Sequence, residues 1–174
     1  MKASKYLFKA TLTLLFASLF EVSTAQNVKL KGEILRNYDV LKEVTVSVFQ
    51  NDSLISREMS NGKFKIELAD DQDYKVVFTK DKYVDKVIHI KNAEGNGYKK
   101  SKDLRFKFDV ELEKEREFRY VDITELDEPV ALIFYNSDKG ELDWDRDHTF
   151  QAHQQIAQLK DLNDDRRREK YRNF

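Results

Sequence analysis

Asp138-x-Gly140 followed by Asp143-x-Asp145-x-Asp147 is the stretch of this chain whose residue types and spacing come closest to a reaction or a ligand site. Alternating carboxylates can surround a hard cation with oxygen atoms. A calcium loop of that kind also needs a glycine at its sixth position for the sharp turn and a bidentate Glu at its twelfth. Counted from Asp143, the sixth residue is His148 and the twelfth is Gln154. The mismatch favours a solvated acidic turn ahead of a helix, with Asp143, Asp145 and Asp147 kept as weak calcium candidates. Trp144 stands between two of these acids. It is either folded over the edge of the body, as most Trp side chains are, or exposed as an anchor for a partner.

Other chemistries find less support. The three histidines are His89, His148 and His153. His148 and His153 are five apart and diverge on a helix, where a metal-binding pair would be four apart. Ser53, Ser56, Ser60 and Ser137 lack the strand-turn-helix context of a nucleophile elbow. The acids are so numerous that no one pair singles itself out for glycosidase chemistry. The chain has neither a phosphate-binding glycine loop nor a dinucleotide fingerprint. With no cysteine, thiolate catalysis, thiolate zinc sites and iron–sulfur clusters are closed to it. We expect no catalytic residue and no cofactor.

The elements that would position these residues begin after a leader. Lys2, Lys5 and Lys9 precede the apolar run Ala10 to Phe20, and Glu21 to Ala25 ends in small residues, the layout of a secretory signal peptide spanning 1–25. The apolar run is shorter than the roughly 20 residues that span a bilayer, so no transmembrane segment is expected after cleavage. Loss of Lys2, Lys5, Lys9 and Glu21 moves the formal net charge from −1 to −3. Such a balanced surface is not that of a nucleic-acid binder.

From Val28 to about Leu112 short runs alternate apolar and polar residues, the period of half-buried strands. Val44, Val46 and Val48 form one; Phe64, Ile66 and Leu68 another; Tyr74, Val76 and Phe78 a third. Asn61-Gly62 reads as a hairpin turn. Val84, Val87, Ile88 and Ile90 suggest a further strand, Leu104 to Leu112 a last one, and Lys91 to Lys102 a loop between them. About seven strands at this spacing predict an antiparallel β-sandwich over 26–115. The charge run Glu113 to Glu117 reads as a solvated strand end or linker. Residues 116–146 supply a connection and an additional strand, Val130 to Tyr135. Residues 147–174 form a weakly amphipathic helix with Ala152, Ile156, Leu159 and Asn163 in register, capped by Asp147 or Thr149. Ile156 and Leu159, with Trp144, are the candidates for holding a partner.

Gly32, Val44-x-Val46-x-Val48, Asn61-Gly62-x-Phe64-x-Ile66-x-Leu68, Tyr74-x-Val76-x-Phe78 and Lys82-Tyr83, in that order, resemble the carboxypeptidase regulatory-like domain family over residues 28–112. That family's pattern runs G-x-V, V-x-V, G-x-F-x-I, Y-x-L and G-Y; here Asp81-Lys82 stands where a glycine precedes the Tyr. The resemblance implies a transthyretin-like sandwich without catalytic residues of its own, in an accessory role such as beside an outer-membrane receptor of a Gram-negative bacterium. The expected protein is thus a non-enzymatic accessory module of the cell envelope, periplasmic or associated with the outer membrane. It would dock a partner protein through its C-terminal extension. The alternative is an exported calcium- or carbohydrate-binding protein using the turn 138–147.

Overall fold

A computed structural model describes residues 27–69, 72–91 and 103–172. The leader and most of the Lys91 to Lys102 loop lie outside the described residues. In chain order the strands are β1 (Asn27–Arg36), β2 (Asp39–Val40), β3 (Val44–Gln50), β4 (Ser53–Ser60), β5 (Lys63–Ala69), β6 (Tyr74–Thr79), β7 (Lys86–Lys91), β8 (Leu104–Lys107), β9 (Val110–Glu111), β10 (Ala131–Asn136) and β11 (Glu141–Trp144). Two 3-10 turns, Glu115–Phe118 and Thr124–Asp127, precede β10, and the helix α1 (Arg146–Arg172) follows β11. No helix among the described residues is long and apolar enough to cross a membrane.

The strands form two sheets, so the fold is a β-sandwich with a C-terminal helix. In the smaller sheet β1 is the spine, antiparallel to β2 and β5 and parallel to β8 and β9. The larger runs β11-β10-β7-β6-β3-β4, antiparallel except where β10 lies parallel to β7. The period-two apolar residues meet between the sheets: Val28, Leu30 and Ile34 from β1, Val44, Val46 and Val48 from β3, Phe64, Ile66 and Leu68 from β5, and Tyr74, Val76 and Phe78 from β6. Each such side chain, fully buried, contributes about 1.5–3 kcal/mol of hydrophobic free energy. Gly32 is needed where β1 meets the chain between β8 and β9, because a Cβ there would lie 1.5 Å from the carbonyl oxygen of Phe108.

Three expectations change. Asn61-Gly62 is not a hairpin: β4 pairs with β3 and β5 with β1, so the turn carries the chain from one sheet to the other. Gly62 at φ 103° and the Ser60 hydroxyl, which accepts from the Gly62 N–H and donates to the Lys63 carbonyl, form this corner. The two-residue hairpins sit at Asn37-Tyr38 and Asn51-Asp52, all four with positive φ. The strand expected from Leu104 to Leu112 breaks into β8 and β9, both along β1, as the backbone rises past Gly32. Finally, β10 and β11 are full members of the larger sheet, so the sandwich does not stop at 115.

Candidate functional site

The helix begins one residue earlier than its sequence suggests. Asp145 is the cap: its carboxylate accepts the His148 N–H at 2.9 Å, and its carbonyl accepts both the N–H and the hydroxyl of Thr149. His148 Nε2 lies 2.6 Å from the Pro129 carbonyl. A carbonyl only accepts, so Nε2 carries the proton. These bonds fix the start of α1 against the segment leading into β10. Further along, Ile156 is 5% exposed and packs with Val84, Phe118 and Leu126, with Leu159 partly buried beside them. Asn163, also buried, accepts the Tyr120 N–H through Oδ1 at 2.8 Å. The face carrying Ile156, Leu159 and Asn163 is therefore turned onto the protein's own body.

Charge anchors the same face. Lys86 lies on β7 in register with Ile88 and Ile90, so it points inward and is 4% exposed. Its ammonium is 2.6 Å from the Glu113 carboxylate, and Glu113 is 7% exposed. Lys160 of α1 comes within 3.6 Å of Glu113 and 3.5 Å of Glu117. Arg36 pairs with Glu117 in turn and lies 3.7 Å from Glu111. One network thus joins β1, β7, β9, the first 3-10 turn and α1. Glu113 and Glu117, expected in a solvated charge run, are inside it because the chain folds back under the helix. Burial pulls the Lys86 pKa below the ordinary lysine value, opposed by the neighbouring Glu113 carboxylate. Glu113 Oε2 is shut off from solvent and faces the Lys86 ammonium at 2.6 Å, while Oε1 faces Lys160.

Between this network and the start of α1 runs a groove of about 530 Å3, floored by Leu35, Ile88 and Val110 and walled by Trp144 and His153. Trp144 is half-buried, its indole edge-on to Phe106 and Phe108 at 5.0 and 5.5 Å between centroids. It closes the edge of the sandwich and also lines the groove. Tyr38 stands at the rim, 93% exposed, at φ 68°. That φ belongs to the two-residue turn between β1 and β2, whose two central residues both take positive values.

The acidic turn has other engagements. Asp143 accepts from Lys139 Nζ and from the Trp144 N–H, and these bonds, that to Lys139 first, hold its carboxyl below the usual carboxylate range. Asp145 caps the helix, and Asp147 is exposed in the first turn. Asp138 lies in the β10–β11 turn, its N–H bonded to the Asn136 side chain. Among the described residues no three His, Asp or Glu side chains gather as a metal-binding group. Lys86 and Glu113 escape a reading by residue type. The one signal for Lys86 is its parity with Ile88 and Ile90, which puts a charge where the strand pattern asks for an apolar residue.

No protein-family model matches the chain, and none of the curated proteins matches it.

Proposed function

We propose that this is a non-enzymatic accessory module of a Gram-negative cell envelope, exported by its leader, that docks the acidic surface of a partner protein through its C-terminal extension. The observation that carries this reading is the overhang of α1. The helix continues past Asn163, its last buried residue, and Asp165 to Arg172 are all exposed. This end carries Arg166, Arg167, Arg168, Lys170 and Arg172 against Asp165 and Glu169. Arg166 donates to the Tyr120 carbonyl, and Lys170 lies over the Tyr120 ring, so the overhang leaves the body in a set direction. The pairs Arg167–Asp164 and Arg168–Asp165 are exposed and hold their charges loosely. A positive projection on a rigid sandwich suits electrostatic complementarity with an acidic patch. The leader pattern and the resemblance to the carboxypeptidase regulatory-like family support the compartment and the accessory role.

Crosslinking through the chain's lysines in intact cells tests it, with the full chain compared with a chain ending at Asp164 and with the Arg166→Glu/Arg167→Glu/Arg168→Glu variant. One recurring envelope protein, crosslinked at an acidic patch and lost in both variants, is the expected result. Equal crosslinking by all three chains, or binding of the overhang to anionic vesicles with no recurring protein, would overturn it.

A further inference from the structure

We propose that the cleft between the first 3-10 turn and the far part of α1 anchors the docked partner, taking a carboxylate side chain from an extended acidic segment of it. The site rests on the overhang reading given above, and adds to it a second element and the form of the partner. The cleft holds about 490 Å3 and is lined by Arg116 and Glu117 from the turn and by Lys160, Asn163, Asp164 and Arg167 from α1. Two hydrogen bonds hold its walls together. The Tyr120 N–H donates to Asn163 Oδ1, and the Tyr120 carbonyl accepts from Arg166.

The charges select an anion. Three cations line the cleft against two acids, and both acids are engaged. Glu117 faces Arg36 as well as Lys160, and Lys160 is held by Glu113 too. Asp164 meets Arg167 at 3.5 Å across half-exposed side chains, a contact of little worth that leaves most of the guanidinium donors open. Arg116, exposed on the turn, has no ion-pair partner among the described residues. Arg116 and Arg167 are therefore the groups left to bind. A carboxylate accepts two parallel N–H bonds from such a planar fork, the geometry in which these pairs are strongest. Arg119 and Lys170, both against the Tyr120 ring, add positive charge at the margin, where further carboxylates of the same segment would lie. A cleft admits a side chain from a loop or flexible stretch more readily than the flat face of a rigid body, so the occupant is an extended run of Asp or Glu residues.

A dye-labelled hexaglutamate peptide is the probe, followed by fluorescence anisotropy, with hexaserine as its neutral counterpart. The chain should bind hexaglutamate saturably and ignore hexaserine. Arg116→Ala and Arg167→Ala should each weaken binding about tenfold, the loss of a hydrogen bond between charged groups. Arg172→Ala removes the same charge from the overhang outside the cleft and should weaken it only about twofold. Arg116→Lys keeps the charge without the fork and should fall between these values. Arg116 is exposed, so its variants should keep the melting temperature of the parent chain. No saturable binding of hexaglutamate, or equal losses at Arg116, Arg167 and Arg172, would overturn the cleft as the anchor. So would phosphatidylglycerol vesicles that bind the chain more tightly than hexaglutamate and lose that binding in Arg116→Ala. The overhang reading fails separately, on crosslinking in cells. A partner lost in the Arg166→Glu/Arg167→Glu/Arg168→Glu variant but kept by Arg116→Ala would leave the overhang standing without the cleft.

Discussion

On one flank of the sandwich, α1 and the segment before β10 pack over the edge of the sheets, with Lys86 and Glu113 buried beneath them and Lys160, Glu117 and Arg36 partly covered around that pair. On the other flank β4 and β5 end their sheets uncovered, with a groove of about 350 Å3 between them. Every residue of β4 before Ser60 is exposed, including Leu54, Ile55 and Met59, and the charges there form solvent-facing pairs such as Lys65–Glu67 and Lys63–Glu33. The same kinds of side chain thus have different energetic weight on the two sides. Buried charges must be paired or they destabilise heavily, whereas exposed pairs are worth little. On the open side Glu58, opposite inward-facing Val46, points a charge into the gap, a common guard against a strand adding to a free sheet edge. The covered flank carries specificity, and the open one needs only to stay unpaired.

The sharpest way to break this contrast is to remove one buried charge. Lys86→Met should destabilise the fold by about 3–5 kcal/mol in chemical denaturation, because Glu113 is left without its nearest partner. Adding Glu113→Leu should recover most of that loss. Next comes Ile156→Ala, expected to cost about 3 kcal/mol by opening a cavity under α1. Asn163→Ala should cost about 1–2 kcal/mol, since it leaves the Tyr120 N–H without its acceptor.

A smaller effect is a slope with pH. The folded state holds the Lys86 pKa below the ordinary 10.5, so between the depressed value and 10.5 the unfolded chain binds more protons than the folded one. Stability should therefore rise as pH climbs through that window. The slope should vanish in the Lys86→Met/Glu113→Leu double variant when denaturation is repeated across the alkaline range. The smallest effect belongs to the open flank. Met59, 71% exposed, should tolerate Ser with a change within about 0.5 kcal/mol. A large loss there would mean that β4 is covered after all.

The parts of this fold written in local pattern were legible from the sequence. Val44-x-Val46-x-Val48 and Phe64-x-Ile66-x-Leu68 needed only the two-residue period of a strand to declare their inward faces. Ile156, Leu159 and Asn163 were in helical register before any partner for them was known. What they pack against was not legible, because Val84, Phe118 and Leu126 come from distant parts of the chain. Asn61-Gly62 misled for a related reason: its positive φ is local, but whether the turn joins two paired strands or two sheets depends on which neighbours β4 and β5 find. The Glu113 to Glu117 run looked solvated since its partners Lys86, Arg36 and Lys160 are far away in sequence. Tyr38 gave no signal at all, as Tyr is an uncommon choice for a left-handed turn position.

The most direct measurement is native-state hydrogen exchange along α1. If the helix is an integral wall of the sandwich with a projecting end, amides from about Ile156 to Asn163 should be protected nearly as strongly as those of β7. Those from Arg167 to Arg172, beyond the last buried residue Asn163, should exchange faster, because only exposed side-chain contacts hold them. Uniformly fast exchange along the whole of α1, with β7 still protected, would show a helix that does not dock, and would remove both the covered flank and the groove beneath it.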